Sequence, residues 1–198
     1  MAKLLSKKKP GATTEPRAPY DAPPLATCDT SHGVLEIHLP AGAAPAKYTT
    51  TKTGAKTGAI NILVVEDSPA DVYLIRTSLS LGKIQKHLSV VTDGEEALDF
   101  LTRSGKYNEA PRPDLILLDL NLPKMDGREL LEKIKADPDL KRIPVLVLST
   151  SKSDRDVSSA YEHHANCYLA KSNELDEYLN VVNAIEAYWL SCVALPGG

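Results

Sequence analysis

The sequence has few cysteines and no long apolar run, and both absences exclude classes of protein. Its three cysteines, Cys28, Cys167 and Cys192, are odd in number and far apart, which is not the pattern of a disulfide framework and favours a reducing compartment. No apolar run approaches the roughly 20 residues of a membrane-spanning helix. The N-terminal segment MAKLLSKKKP lacks the apolar core of a secretory signal. We therefore expect a cytoplasmic protein that does not enter a membrane.

Charge and proline are distributed unevenly along the chain. The net charge is −3, but residues 1–59 hold eight Lys/Arg against four Asp/Glu, together with seven of the 14 prolines and almost no aromatic residues. This composition is typical of disorder, and we expect 1–59 to be a largely disordered extension. Within it, Leu35, Ile37 and Leu39 alternate with polar residues, as in a strand; an isolated strand, an added sheet edge and chance all explain the pattern. The remainder of the chain is acidic, which argues against nucleic acid as a ligand.

From Ile60 onward, apolar strand patterns alternate with amphipathic helix patterns. Five short apolar segments end at polar residues, and each precedes a segment with apolar residues at helical spacing. The predicted strands are Ile60–Val65, His87–Thr92, Leu115–Leu118, Pro144–Leu148 and Cys167–Leu169. Because strand–helix–strand crossovers are right-handed, this alternation predicts an α/β domain with a doubly wound, five-stranded parallel sheet over residues 60–190.

Acidic, hydroxyl and basic residues follow four of these strands. Glu66 and Asp67 follow the first strand, Asp119 the third, Ser149 the fourth and Lys171 the fifth. The carboxyl ends of parallel strands share one edge, where ligands bind, so we expect these side chains to meet in one pocket. The crowded carboxylates repel one another, and Mg²⁺, which prefers hard oxygen ligands, would offset their charge together with the lysine. A carboxylate in this setting can receive a phosphoryl group.

These residues resemble the site of the receiver domain of two-component response regulators. The resemblance extends from Ile60 to about Leu190. It implies a flavodoxin-like fold with strand order 2-1-3-4-5 and a phosphoacceptor at Asp119. It also implies a Mg²⁺ site and a set of switch residues around that acceptor. The implied metal ligands are Glu66, Asp67, Asp119 and the backbone carbonyl of Asn121, and the implied phosphoryl-binding and switch residues are Lys171, Ser149 and Tyr168.

The sequence is similar to a narrower group, the single-domain regulators that partner phytochrome-type histidine kinases. The segments DLNLPKMDGRELLEKIKADPDLKRIPVLVLSTS and HHANCYLAKS carry this resemblance. It implies a histidine kinase as partner and output through protein contact, since only eight residues follow Leu190 and we expect no output domain. One position departs from the wider family, which usually has proline after the lysine. Here that residue is Ser172, and the sequence leaves the geometry of the Lys171–Ser172 bond open.

Two other functions fit parts of the same pattern. Phosphatases of the haloacid-dehalogenase type also combine a strand-end aspartate, Mg²⁺, a hydroxyl and a lysine, but they need a second aspartate two residues after the nucleophile. Here that residue is Asn121, which cannot transfer a proton. A receiver-like scaffold that is never phosphorylated is the third possibility, although such chains usually lose a site residue and this one retains them all. We therefore expect a signalling protein, with at most slow self-dephosphorylation, and not an enzyme.

The end of the chain carries more apolar surface than a five-helix domain needs. A large exposed apolar patch is rare on a soluble monomer, and aromatic residues are enriched at interface centres. We therefore expect a homodimer formed through the last helix and the tail 191–198, the alternative being that the tail folds back on its own domain. The residues predicted for this interface are Tyr178, Tyr188, Trp189, Leu190, Val193 and Leu195.

Overall fold

The structure is a computed structural model, and it describes residues 34–37, 46–49 and 58–196. Its first two strands, β1 (Val34–Ile37) and β2 (Ala46–Thr49), form an antiparallel pair in which Val34 lies opposite Thr49. Leu35 and Ile37 of the alternating pattern lie in β1. Leu39 and most of the remaining extension lie outside the described residues, so the expectation for them stays a prediction.

The other five strands form one parallel sheet, which confirms the predicted fold class. Their order is β4-β3-β5-β6-β7, which corresponds to 2-1-3-4-5 when only these strands are counted. All five predicted strands are present, and no strand end differs from the prediction by more than one residue. Their bounds are β3 Ile60–Val65, β4 Lys86–Val91, β5 Leu115–Leu118, β6 Val145–Ser149 and β7 Cys167–Ala170.

Five α-helices connect and cover these strands, and most begin at a side chain that caps the first turn. Ser68, Asp93, Asp126 and Ser153 each accept a hydrogen bond from a backbone N–H of the following turn, which satisfies a donor that has no partner inside the helix. The helices are α1 Pro69–Ser80, α2 Gly94–Thr102, α3 Gly127–Ala136, α4 Asp154–Glu162 and α5 Leu175–Ala184. Short 3₁₀-helices occur at Gly105–Tyr107 and Leu140–Arg142, and α5 continues as a π-helical segment at Ile185–Leu190.

The central strands are buried on both faces, because their side chains alternate between two apolar clusters. Leu63 and Val65 of β3 pack with the side of the sheet that α2 and α3 cover, whereas Ile62 and Val64 pack with α1 and α5. In β5, all four residues are buried. Continuous apolar runs are therefore required here, since neither face of these strands meets water. No helix within residues 58–196 is both long and apolar enough to cross a membrane.

The last helix packs on its own domain more fully than the sequence analysis expected. Tyr178 is 3% exposed and Leu190 is 7% exposed, and both belong to the cluster between the sheet and α1. The prediction that these two residues lie at a dimer surface is therefore corrected, because their side chains form part of the core. Tyr188 remains 54% exposed, while Trp189 packs partly against the same cluster.

A buried ion pair holds the π-helical segment against the start of β4. Glu186 accepts a hydrogen bond from the ammonium of Lys86 at 2.9 Å, and both side chains are largely buried. Glu186 fits beside Gly82, where a Cβ atom would lie 1.4 Å from its Oε1 atom. The segment that continues α5 is thus held against the turn that follows α1.

The carboxylate of Glu96 holds the first part of the long loop that follows α2. Its two oxygens accept hydrogen bonds from Lys106 and Tyr107, each at 2.6 Å, and from the backbone N–H of Thr92 at 3.0 Å. Hydrogen bonds from Lys106, then from Tyr107 and Thr92, lower the pKa of Glu96 to about 2. Because the ordinary pKa is higher, the ionised carboxylate stabilises the folded state at neutral pH.

We expect Glu96→Gln to lower the free energy of unfolding by about 1 kcal/mol at neutral pH, because the amide removes one acceptor and the charge. The folded pKa lies below the unfolded pKa, so this contribution is complete above the unfolded value and is lost as the pH falls toward the folded value. Urea unfolding at a series of pH values should show the difference from wild type narrowing between about pH 5 and pH 2. Glu95→Gln, at the exposed neighbouring position, is the matched control. A difference that does not change with pH would contradict the role given to the carboxylate.

Candidate functional site

The structure places the predicted acidic and basic residues at one edge of the sheet. Glu66 and Asp67 follow β3, Asp119 follows β5, Ser149 ends β6 and Lys171 follows β7. Glu66, Asp119, Ser149 and Lys171 are all buried, whereas Asp67 is exposed. The edge is therefore a mostly enclosed polar pocket with one acid at its solvent side.

The Lys171 ammonium is the centre of this pocket. Its nitrogen donates to Glu66 Oε2 at 2.5 Å, to Asp119 Oδ2 at 2.7 Å and to Asp71 Oδ2 at 2.8 Å. Burial alone would lower the pKa of Lys171, but hydrogen bonds to Asp119, Asp71 and Glu66 outweigh burial and raise it above its ordinary value. An ammonium has three N–H donors, and here all three are used.

Glu66 is the most deeply buried acid of the pocket. Burial raises its pKa to about 7, against the opposing effect of the hydrogen bond and charge of Lys171. Its Oε1 atom also accepts a hydrogen bond from the backbone N–H of Ser68 at 3.1 Å. A buried carboxyl group of this kind is stabilised in its ionised form by a nearby cation.

Three acids of the pocket form a cluster that fits a divalent cation. One carboxylate oxygen from each of Glu66, Asp67 and Asp119 lies within 4.8 Å of the others. These are hard oxygen donors, and the exposed Asp67 leaves room for the waters that Mg²⁺ retains. Lys171 offsets part of the negative charge from the inner side. The donor set therefore fits the predicted Mg²⁺ cofactor.

The carboxylate of Asp119 is held on both of its oxygens. Oδ2 binds Lys171, and Oδ1 accepts a hydrogen bond from the backbone N–H of Asn121 at 3.0 Å. Helix α3 approaches this loop closely, since a Cβ atom at Gly127 would lie 2.1 Å from the Asp119 carbonyl oxygen. Glycine at the start of α3 thus lets the helix pack on the loop, a requirement that the sequence analysis did not identify.

Ser151 connects the two predicted switch residues. Its backbone N–H donates to Ser149 Oγ at 3.2 Å, and its carbonyl accepts from the Tyr168 hydroxyl at 2.8 Å. Its own hydroxyl donates to Asp156 Oδ2 at 2.5 Å, and Arg128 donates to the other oxygen of Asp156 at 2.8 Å. A chain of hydrogen bonds therefore extends from the buried Ser149 to the first turns of α4 and α3.

Ser172, at the position where the wider family usually has proline, has a structural role of its own. No cis peptide bond occurs in the described part of the chain, so the Lys171–Ser172 bond is trans. Ser172 Oγ accepts a hydrogen bond from the backbone N–H of Glu174 at 3.1 Å and donates to Glu177 at 2.5 Å. The serine thus orders the turn between Lys171 and α5.

The sequence analysis did not identify Asp71 and Tyr178 as residues near the site. Asp71 had the sequence pattern of a helix-capping acid, yet its carboxylate binds Lys171. Tyr178 has a buried hydroxyl that makes no hydrogen bond within the described residues. Burial raises the pKa of this hydroxyl above its ordinary value, and among its charged neighbours Asp71 contributes most to that rise. The sequence did not indicate the contact of Asp71, because its partner Lys171 lies 100 residues away in the chain.

Comparisons with known proteins identify one family. The family model of the response regulator receiver domain matches residues 62–183. The response regulator Rcp1 of Synechocystis sp. is 53% identical over 135 residues, which cover 68% of this chain and 92% of Rcp1. No finding supports the phosphatase alternative.

Two solved structures have a similar fold. The Mn²⁺-bound form of Rcp1 superposes with a TM-score of 0.69 at 51% identity, covering 70% of this chain and 99% of that one. The phosphorylated cyanobacterial phytochrome response regulator RcpA gives a TM-score of 0.69 at 48% identity, covering 71% and 100%. The strand order, the acidic pocket and these matches lead to one conclusion: the chain belongs to the response regulator receiver domain family.

Proposed function

We propose that the chain receives a phosphoryl group on Asp119 from a histidine kinase, in a Mg²⁺-dependent phosphorelay, and acts on its target through protein contact. The observation that carries this proposal is the contact between the Asp119 carboxylate and the buried Lys171 ammonium, next to two further acids. The family's role in signalling, and not in metabolic catalysis, supports it.

In the proposed reaction, an Asp119 oxygen attacks the phosphorus of a phosphohistidine. The new bond joins that oxygen to phosphorus, the phosphorus–nitrogen bond breaks, and its electron pair stays with the imidazole, which takes up a proton from solvent. Lys171 binds one of the transferred oxygens and the Ser149 hydroxyl donates to another. Mg²⁺, held by Glu66, Asp67, Asp119 and the backbone carbonyl of Asn121, would neutralise the remaining charge on the phosphoryl group.

The partner kinase we propose is of the phytochrome type, and the compartment is the cytoplasm. RcpA is a phytochrome response regulator, and the bacteriophytochrome response regulator AtBRR is 35% identical with a TM-score of 0.55, covering 67% of this chain and 96% of that one. Self-dephosphorylation should be slow, because the residue two positions after Asp119 is Asn121, which cannot act as an acid or base.

Asp119→Asn should abolish phosphorylation, because an amide oxygen is a poor nucleophile. The test is incubation with radiolabelled acetyl phosphate and Mg²⁺, followed by measurement of a base-labile protein adduct. The fold should persist, since Lys171 keeps its bonds to Glu66 and Asp71. Asp126→Asn, at the exposed cap of α3, should be labelled like wild type.

Each other outcome of this assay has a distinct meaning. Labelling that persists in Asp119→Asn would assign the acceptor to another residue. Rapid release of inorganic phosphate by the wild-type chain would favour a phosphatase. The absence of any adduct on the wild-type chain, with Mg²⁺ present, would favour a scaffold that is never phosphorylated.

Ser149→Ala should be phosphorylated but should not undergo the conformational change that phosphorylation causes in wild type. The phosphoryl group should draw the Ser149 hydroxyl away from the Ser151 N–H, so that Tyr168 moves into the vacated space, a two-state shift biased by one hydrogen bond. Phosphorylation should therefore alter the NMR amide signals of α4, β7 and α5 in wild type and in the control Ser158→Ala, and leave them nearly unchanged in Ser149→Ala. A full shift in Ser149→Ala would exclude this route.

We further propose a homodimer formed through the part of the C-terminal surface that remains accessible. Tyr188 is 54% exposed, and Trp189, Val193 and Leu195 are partly exposed. These neighbouring apolar side chains are of the kind found at interface centres. A symmetric pair is the commonest way to cover one such surface.

Light scattering after size-exclusion chromatography tests the dimer. The full chain should elute with twice the monomer mass at tens of micromolar, and Tyr188→Glu should shift it toward the monomer, because the charge would be buried at the interface. Tyr73→Glu, the same change at an exposed tyrosine of α1, should not. A wild-type monomer, with and without phosphorylation, would mean that the tail packs only on its own domain.

A further inference from the structure

The first turn of α1 departs from the usual pattern of a capped helix. Ser68 is the cap and Asp71 is the third helical residue, and an acid in that position ordinarily accepts a hydrogen bond from the backbone N–H of the cap. Here Glu66 accepts from the Ser68 N–H at 3.1 Å. The Asp71 carboxylate instead binds the ammonium of Lys171 at 2.8 Å.

In helix α2 of the same protein, the first-turn acid turns back past the cap, Asp93, to the residue before it. Its third residue, Glu96, directs its carboxylate back toward the helix start and accepts from the N–H of Thr92 at 3.0 Å. The orientation of Asp71 is therefore not a general property of first-turn acids in this fold. It follows from the occupation of the Ser68 N–H by Glu66, which leaves the Asp71 carboxylate free to face the pocket.

Asp71 differs from the two other partners of Lys171. The cluster that fits a cation contains Glu66 and Asp119 but not Asp71. The Asp71 side chain is also the most exposed of the three, at 27% against 2% for Glu66 and 8% for Asp119. Asp71 is thus the one acid bound to Lys171 whose oxygens are not also candidate metal ligands.

We propose that Asp71 is a positioning residue for phosphoryl transfer, whose carboxylate holds the Lys171 ammonium beside Asp119 while the oxygens of Glu66 and Asp119 bind the cation and the phosphoryl group. Lys171 has three donors, and those released from Glu66 and Asp119 become available to the phosphoryl oxygens. The bound cation adds positive charge to the pocket and repels the ammonium, and the bond to Asp71 keeps the ammonium in place. This inference rests on the proposed function of Asp119.

The test uses acetyl phosphate, Mg²⁺ and the full chain. In this reaction an Asp119 oxygen forms the bond to phosphorus, the bond between phosphorus and the acetate oxygen breaks, and acetate leaves with the electron pair. At saturating Mg²⁺, Asp71→Asn should be phosphorylated about threefold to tenfold more slowly, the loss expected for one charge-assisted hydrogen bond that is partly exposed. Asp71→Glu, which restores the charge, should recover most of the rate.

Two controls separate positioning from a general loss of structure or charge. Asp154→Asn makes the same change in the exposed first turn of α4 and should react like wild type. Isothermal titration calorimetry should give Asp71→Asn a Mg²⁺ dissociation constant within about threefold of wild type, because Asp71 lies outside the cation cluster and a partly exposed charge is screened. A much larger change in Mg²⁺ affinity would assign Asp71 to metal binding and overturn the proposal.

A double-mutant cycle with Lys171→Gln identifies the residue through which Asp71 acts. If Asp71 works by holding the ammonium, Asp71→Asn should slow the wild-type reaction and have no further effect when Lys171 is already replaced. Equal effects in both backgrounds would overturn the proposal. Should Lys171→Gln fail to fold, the Asp71→Glu comparison decides, since a Glu variant no faster than Asp71→Asn would also overturn it.

The outcomes distinguish this inference from the proposed function. If the wild-type chain forms no adduct, or if the adduct still forms in Asp119→Asn, the proposed function itself is contradicted. An adduct on Asp119 that forms at the same rate in wild type and Asp71→Asn would leave the proposed function intact and remove only the positioning role.

Discussion

The buried ammonium of Lys171 is the interaction on which the site depends. It joins residues that follow β3, β5 and β7 and the first turn of α1, with donor–acceptor distances between 2.5 and 2.8 Å. Three carboxylates this close would repel one another without it. The desolvation of the buried ammonium is offset by its three hydrogen bonds to carboxyl oxygens.

The sheet makes this meeting of charges possible because its central strands need no polar contact with water. Apolar residues fill both faces of β3, β5 and β6, so polar groups accumulate where the strands end. The parallel order brings those ends to one edge. How closely the surrounding elements pack at that edge depends on individual residues. One is Gly127, without which α3 could not approach the Asp119 loop.

The strands and the strand-end residues were predictable from sequence because each depends on local pattern, whereas the strand order was implied by the resemblance to the receiver family. An apolar run followed by an acid identifies Asp119 without knowledge of any distant residue. Asp71 and Ser151 were not predictable, since their roles depend on partners that other segments bring to them: Lys171 lies 100 residues from Asp71 in the chain. Ser172 shows a further limit, because the sequence does not reveal that its hydroxyl orders the start of α5.

The sequence pattern also does not fix which face of the last helix lies against the sheet. Leu175, Leu179, Val182 and Ile185 have helical spacing, and so do Tyr178, Val182 and Ile185; spacing alone does not choose between the two sets. In the structure Leu175 is 55% exposed and Tyr178 is in the core.

The crystal structure of the chain with Mg²⁺ and beryllofluoride, a mimic of the phosphoryl group, tests the central claim most directly. The account predicts that the beryllofluoride is bonded to Asp119 and that the Lys171 ammonium binds one of its fluorines. A Lys171 ammonium turned away from the beryllofluoride, or a beryllofluoride on another residue, would contradict it.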